Sequence, residues 1–343
     1  MRLLILLLTY SFFSTGPVLC KIRNPESSLF NYYYEWGKAG SGNDQLMEPT
    51  GIAINKKKIE VAVSDTRNDR VQIFQINGQY LRTIKGDKKG KFLLKKPRSL
   101  VFTRDGRLVV ANTGAHEIHI YNKNEQLVTV IGKQGWKSGY FLGPVCVTMD
   151  GNDHIFTVEP RGKFISGLGL DFFQKQRVQG NRAQEFDLKG KFIRRIGHMH
   201  RIGGKRIRQL NSPESCFVDK KGYIWFADTG NHRILKYKNK DDATPVHPIS
   251  LCYPQAIYQD DDGDIYLSDT HNHRIVVLNS NGILKTFFGQ KGSLKGEFSQ
   301  PGELEVIKDR LFICDRMNHR IQVFQIRSKS QIKEGFARPD ILK

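Results

Sequence analysis

The chain has 343 residues, of which 39% are hydrophobic and 26% are charged, a composition typical of a folded globular protein and not of a disordered or fibrous one. Its 54 Lys and Arg residues against 34 Asp and Glu residues give a formal net charge of +20 at pH 7. This excess bears on partners and solubility, not on the fold. After the first twenty residues no stretch is long and apolar enough to span a bilayer, so the sequence predicts no membrane span in the mature chain.

Residues 1–20 have the layout of a secretory signal peptide. Arg2 supplies a positive start, an apolar run extends from Leu3 to Phe13, and a stretch that ends in V-L-C leads to Cys20. We expect cleavage after Cys20 and a secreted protein, with an uncleaved membrane anchor as the alternative. Residues 21–28 then form an N-terminal linker.

Four cysteines remain after such cleavage, namely Cys146, Cys216, Cys252 and Cys314. An even number is compatible with disulfide bonds in an oxidising compartment, but four cysteines allow three pairings and the sequence does not choose between them. Buried free thiols are the alternative, because cysteine packs well as a small apolar residue.

A seven-residue sequence motif, which we call the phrase, recurs six times along the chain. It reads D-T-R-N-D-R-V from Asp65, N-T-G-A-H-E-I from Asn112, E-P-R-G-K-F-I from Glu159, D-T-G-N-H-R-I from Asp228, D-T-H-N-H-R-I from Asp269 and D-R-M-N-H-R-I from Asp315. Successive phrases begin 47, 47, 69, 41 and 46 residues apart. A period in the forties indicates one supersecondary unit that is repeated and stacked.

Each unit reads as four short strands joined by tight turns. The units open at prolines, which are Pro49, Pro97, Pro144, Pro213, Pro254 and Pro301. Six such units predict an all-β fold, a six-bladed β-propeller of four-stranded antiparallel blades over residues 29–326. The sixth unit lacks its fourth strand, so we expect the strand from Phe30 to Trp36 to close the ring. The third unit carries an insertion at about residues 160–185, interpreted as a protruding loop, and residues 327–343 form a basic C-terminal tail.

The phrases from Asp228 and Asp269 resemble the NHL repeat family, and the likeness extends over residues 30–326. The resemblance implies a six-bladed propeller. Members serve in protein docking in tripartite-motif ubiquitin ligases, in RNA binding, in extracellular sensing, and as a zinc-dependent lyase that matures amidated peptides. Fold alone does not choose among these roles.

The resemblance also allows a test for the lyase, whose zinc histidines tend to follow the proline that opens a unit. The residues at those positions here are Thr50, Arg98, Val145, Glu214, Gln255 and Gly302. None of them is a histidine, and the chain has no G-x-S-x-G, P-loop or H-E-x-x-H motif. We therefore expect no catalysis, no metal and no cofactor. A secreted metal-dependent lyase-like enzyme is kept as an alternative to a non-enzymatic function.

The acid and the arginine of the phrase are interpreted as structural. The repeated pairs are Asp65 with Arg70, Asp228 with Arg233, Asp269 with Arg274, and Asp315 with Arg320. An aspartate at a strand end can accept hydrogen bonds from backbone N–H groups of the next loop. An arginine at the start of the next strand can then donate hydrogen bonds to the same carboxylate. The fifth position of the phrase is His116, His232, His273 or His319, with Asp69 and Lys163 in the other two blades. A metal ring would need three or four of these histidines to converge, so we favour packing beside the arginines.

Basic linkers between the blades are the best indication of function. The candidate binding residues are Lys88, Lys89, Lys91, Lys95, Lys96, Arg98, Arg201, Lys205, Arg206 and Arg208. Propeller linkers share one face with the repeat loops, so this face is expected to recognise an acidic partner, a protein or a polyanionic glycan. Phe92, Tyr140 and Phe141 are candidates for stacking on bases or sugars. The alternative is an intracellular module that binds RNA or docks substrates in ubiquitin-ligase-type pathways.

Overall fold

The structure, a computed structural model, describes residues 29–160, 181–196, 209–239 and 242–327. These residues form six four-stranded antiparallel sheets and no α-helix, which confirms the predicted all-β propeller. The first strands of the blades are β2 (Pro49–Asn55), β6 (Pro97–Phe102), β10 (Cys146–Met149), β14 (Ser215–Val218), β18 (Pro254–Gln259) and β22 (Pro301–Ile307). The second strands are β3 (Glu60–Asp65), β7 (Leu108–Asn112), β11 (Ile155–Glu159), β15 (Ile224–Asp228), β19 (Ile265–Asp269) and β23 (Arg310–Asp315).

The outer strands complete each blade. The third strands are β4 (Arg70–Gln75), β8 (Glu117–Tyr121), β12 (Arg182–Phe186), β16 (Arg233–Asn239), β20 (Arg274–Leu278) and β24 (Arg320–Ile326). The fourth strands of blades one to five are β5 (Tyr80–Ile84), β9 (Leu127–Ile131), β13 (Phe192–Ile196), β17 (Asp242–Val246) and β21 (Leu284–Phe288). The sixth blade has the order β1-β24-β23-β22, where β1 is Phe30–Trp36. Its pairing runs antiparallel from Phe30 opposite Ile326 to Trp36 opposite Ile321, so the predicted closure is confirmed.

The core lies between the blades, because each sheet packs against a neighbour on both faces. Val61 and Val63 of blade one, for example, share a buried cluster with Phe312 and Val323 of blade six. Both faces of a second strand are therefore apolar, and every residue of β15 is buried. Burial of one such side chain stabilises the fold by roughly 1.5–3 kcal/mol.

The first strands approach one another closely around the axis. A Cβ atom at Gly51 would lie 2.0 Å from the carbonyl oxygen of Arg98 in the next blade. Glycine at this position thus permits the spacing of the two innermost strands. Because each first strand leads away from the linkers, the linkers and the repeat loops lie on one face, which we call the loop face, and the hairpin turns lie on the opposite face.

The third blade corrects the predicted bounds of the insertion. Its second strand ends at Glu159 and its third strand begins at Arg182, so the insertion ends before residue 182 instead of near 185. The run N-R-A-Q-E-F from Asn181 repeats D-R-V-Q-I-F from Asp69, because both must place an arginine and a glutamine at the start of a third strand. Asn181, and not Lys163, is therefore the equivalent of the loop histidines.

Several predictions from the sequence lie outside the described residues: the signal peptide of residues 1–20, the linker 21–28, the tail beyond Arg327, and insertion residues 161–180. Cys146, Cys216, Cys252 and Cys314 are free thiols in this structure, so none of the three disulfide pairings is formed. Among the described residues, no helix has the length and apolarity to cross a membrane.

Candidate functional site

The loop face is held together by the repeat phrase. Two residues before each opening proline, the backbone N–H donates to the acid or amide that leads the phrase of the same blade: Met47 to Asp65, Lys95 to Asn112, Leu142 to Glu159, Asn211 to Asp228, Cys252 to Asp269, and Ser299 to Asp315. All six bonds measure 2.6–2.8 Å. The phrase therefore fixes the linker that enters its own blade.

The arginine of the phrase completes this contact. Its Nε lies 2.7–2.8 Å from the carboxylate in the four predicted pairs, Asp65–Arg70, Asp228–Arg233, Asp269–Arg274 and Asp315–Arg320. The remaining guanidinium nitrogens donate to linker carbonyls, as Arg70 does to Gly42 at 2.7 Å and Gln45 at 3.0 Å. In blade three the same pair is Glu159 and Arg182, separated by 23 residues where the others are separated by five. These groups are occupied by the backbone and are not available for chemistry.

In every blade except the second, the residue before the arginine joins its blade to the next. It adopts a left-handed conformation and accepts the N–H of the residue that precedes the next opening proline. The bonds are Asp69 with Lys96, Asn181 with Ser212, His232 with Tyr253, His273 with Gln300, and His319 with Glu48, at 2.7–3.2 Å. A ring Nδ1 that accepts is unprotonated and engaged, which explains the histidines without a metal. In the described part of the chain no group of three His, Cys, Asp or Glu side chains could hold a metal ion.

The structure describes six of the ten candidate basic residues, those from Lys88 to Arg98. Lys88, Lys89, Lys91, Lys95 and Lys96 are exposed, and Lys91 lies over the ring of Phe92 at 5.2 Å. Lys88 and Lys89 line a groove of about 530 Å³ beside the outer strand of blade two. Arg201, Lys205, Arg206 and Arg208 lie outside the described residues.

The expectation that Phe141 stacks on a ligand is wrong, because its side chain is fully buried. It lies three residues before an opening proline. The residues at this position in all six linkers are apolar and buried, namely Leu46, Leu94, Phe141, Leu210, Leu251 and Phe298. This position therefore docks the linker onto the propeller and is not free to bind a ligand.

A polar cavity opens where the loop face meets the central channel, and we call it the channel mouth. Its volume is about 420 Å³, and it is lined by Glu48, Thr50, Thr66, Arg67, Lys96, Arg98, Glu214, Gln255 and Arg316. Four of the six positions after an opening proline meet here, those of Thr50, Arg98, Glu214 and Gln255. Arg98 and Glu214 pair at 2.8 Å across the mouth. Beneath them the free space shrinks to about 10 Å³.

Sequence reasoning missed Arg316 as part of this cavity. The signal was present, since Arg316 interrupts the D-T pair that opens the phrases of blades one, four and five.

Two carboxylates, also missed, lie deeper in the channel on the first strand of blade six. Glu303 accepts a hydrogen bond from the N–H of Ile52 at 3.3 Å, and Glu305 accepts one from the N–H of Ile54 at 2.7 Å. Burial raises the pKa of both, and that of Glu305 reaches about 8. The channel thus combines cationic groups at its mouth with carboxyl groups that resist ionisation below.

This shift predicts a pH dependence of stability. Because the folded pKa of Glu305 lies above the unfolded value, folded protein binds more protons and the free energy of unfolding falls as the pH rises from about 4.5 to about 8. Glu305→Gln keeps the acceptor for Ile54, so urea unfolding of this variant should show a flatter fall over that range and higher stability than the parent at pH 8. An equal slope in both proteins would contradict the assignment.

Comparisons with known proteins agree with this architecture. The NHL repeat model matches residues 251–278. Protein brain tumor of Drosophila melanogaster is 31% identical over 130 residues, a match that covers 37% of this chain and 12% of that relative. The match therefore spans only a small part of the relative's length.

Solved structures show the fold alone, because their identities are low. A streptogramin B lyase aligns with a TM-score of 0.57 at 14% identity, covering 87% of this chain and 98% of the lyase. A gluconolactonase from Xanthomonas campestris aligns with a TM-score of 0.59 at 14% identity, covering 83% of this chain and 88% of that chain. This chain is therefore a six-bladed β-propeller in which the sequence of residues 251–278 matches the NHL repeat.

Proposed function

We propose that this propeller is a non-catalytic binding scaffold that recognises an acidic partner, a protein or a polyanionic glycan, through its loop face. The observation that carries the proposal is the run of exposed lysines Lys88, Lys89, Lys91, Lys95 and Lys96 in one linker. Among the residues that the structure describes, no carboxylate lies within 4.0 Å of their amino groups. These charges are therefore free to attract an anionic surface, with a salt dependence set by the counterions released.

The test reverses the linker charges. A variant with Lys88, Lys89, Lys91 and Lys95 changed to Glu should elute from a heparin column at much lower salt than the parent and pass through at about 0.15 M. Lys96 is left unchanged because it lines the channel mouth. The matched control changes Lys57, Lys123, Lys189 and Lys221 to Glu, four exposed residues in hairpin turns of the opposite face. If both variants lose the same amount of heparin retention, the effect comes from net charge alone. If the variant of the linker is retained as strongly as the parent, this linker is not the heparin-binding site.

The absence of catalysis is part of the proposal. The positions after the opening prolines hold no histidine, and the loop histidines that the structure describes mostly accept backbone N–H groups. The similarity to a lyase and to a gluconolactonase is a similarity of fold, and a shared fold does not imply a shared activity. Stoichiometric zinc or calcium in the purified protein, measured by elemental analysis, would overturn this part of the proposal.

RNA is the second candidate, and one observation favours it. The half-exposed ring of Tyr253 lies on the loop face with the rings of His232 and His271 each 4.5 Å away, centroid to centroid. Such an aromatic platform can stack on unpaired bases. Retention of the parent on single-stranded RNA at a salt concentration that elutes it from heparin would favour RNA over a glycan or acidic protein.

An extracellular partner requires export, which we propose from the apolar segment of residues 1–20. Protein recovered from the medium with Lys21 as its first residue would support export. Retention of Met1 in protein confined to cells would contradict it and favour the RNA candidate.

A further inference from the structure

Blade six departs from the repeat at the residue that follows the leading acid. Four blades have a threonine there, and its hydroxyl donates to the carbonyl of the next opening proline: Thr66 to Pro97, Thr113 to Pro144, Thr229 to Pro254, and Thr270 to Pro301, at 2.6–2.9 Å. Arg316 occupies this position in blade six. The substitution gives up one hydrogen bond between blades and places a guanidinium group in the channel mouth.

The guanidinium of Arg316 is poorly satisfied by the protein. Its Nη1 donates to Gln255 Oε1 at 3.3 Å, while its Nε is buried and has no hydrogen-bond partner. Within the described ranges no carboxylate lies within 4.0 Å of Arg316, although the arginines of the repeat phrases each have one. Burial, followed by the charge of Arg98, lowers the pKa of Arg316. A partly buried cation without a carboxylate partner is costly, so its retention calls for a compensating anion.

The surroundings indicate the charge of that anion. The channel mouth is lined by four cationic side chains, those of Arg67, Lys96, Arg98 and Arg316, against the carboxylates of Glu48 and Glu214. Glu48 pairs with Arg67 and Glu214 with Arg98, both at 2.8 Å. Among the residues of the described ranges, Arg316 and Lys96 have no acidic partner, which leaves the mouth with an excess of two positive charges.

We propose that the channel mouth binds a phosphate monoester. A phosphate monoester carries about −1.5 to −2 charges at pH 7 and offers three acceptor oxygens. It therefore neutralises the positive charges of Arg316 and Lys96 together. The planar guanidinium group of Arg316 has the geometry to donate hydrogen bonds to two of the phosphate oxygens. A cavity of about 420 Å³ is of the size that small-molecule ligands occupy. The phosphate belongs either to a small metabolite or to a phosphorylated side chain. The site shares only Lys96 with the lysine surface proposed above.

Calorimetric titration at a constant ionic strength of about 0.15 M tests the proposal. The probes are inorganic phosphate, O-phosphoserine, and a short peptide that contains phosphoserine. We expect saturable binding at one site, weakened about tenfold or more in Arg316→Thr. This variant restores the threonine of the repeat and with it the bond to the next proline, so it should fold. The matched control is Lys57→Thr, which removes one exposed positive charge from the opposite face and should bind as the parent does.

The three probes distinguish the source of the phosphate. Equal affinity for O-phosphoserine and the peptide supports a small metabolite, and tighter binding of the peptide supports a phosphorylated side chain. Absence of saturation by all three up to about 10 mM, or equal affinity of the parent and Arg316→Thr, would overturn the proposal. The variant with Lys88, Lys89, Lys91 and Lys95 changed to Glu should still bind phosphate. The experiments therefore distinguish failure of the proposed polyanion-binding function from failure of the proposed phosphate site.

Discussion

Replacing Asp65 by alanine will lower the free energy of unfolding by about 3–5 kcal/mol, as expected when a buried ion pair loses one partner. Asp65 is fully buried and accepts hydrogen bonds from Met47 N, Asn68 Nδ2, Arg70 Nε and Gln72 Nε2. The alanine variant leaves the guanidinium of Arg70, only 6% exposed, without its carboxylate. It also releases the linker that enters blade one. Equilibrium urea unfolding followed by tryptophan fluorescence measures the change.

Asp105→Ala is the matched control. Asp105 pairs with Arg107 at 3.0 Å, but half of its side chain is exposed, so its loss should cost about 1 kcal/mol or less. A cost for Asp65→Ala as small as that for Asp105→Ala would contradict the structural role of the repeated acid.

A chain that begins at Lys38 will not form a stable monomeric propeller. Such a truncation removes β1, which pairs with β24 along its whole length, and it exposes the edge of β24. It also removes Phe30, which stacks on Phe288 with ring centroids 4.5 Å apart, and Trp36, which packs between Phe74 and Phe312. An open edge strand and an uncovered aromatic cluster favour aggregation. Size-exclusion chromatography and thermal unfolding measure the outcome.

A chain that begins at Leu29 retains β1 and is the control for the loss of the preceding residues. We expect it to elute as a monomer and to unfold cooperatively. If the chain from Lys38 has the same elution volume and the same melting temperature, the closure between the two ends of the chain does not stabilise the ring.

The blades and their closure could be predicted because their signals are local and repeated. Prolines, turn glycines and the acid-to-arginine phrase recur in register, and the missing fourth strand of blade six identifies Phe30–Trp36 as its replacement. The split phrase of blade three was harder to place, because Glu159 and Arg182 make their ion pair across an insertion. Comparing N-R-A-Q-E-F with the other third strands would have found it.

The channel could not be predicted in the same way. Its lining depends on which residues of six separate strands converge, and Arg98 and Glu214 meet there from blades two and four. Glu303 and Glu305 alternate with apolar residues as any half-exposed strand would, so nothing in their spacing indicates a buried environment. Departures from the repeat were the available signal, and Arg316 in place of threonine is the clearest of them.

The most direct test of the binding function is the salt dependence of affinity for a heparin oligosaccharide, measured for the parent and for the variant with Lys88, Lys89, Lys91 and Lys95 changed to Glu. If these lysines contact the polyanion, the logarithm of the association constant should fall steeply with the logarithm of salt concentration in the parent, and the slope should be smaller in the variant. The control variant of the opposite face should keep the slope of the parent. Equal slopes in all three proteins would contradict the assignment of binding to the loop face.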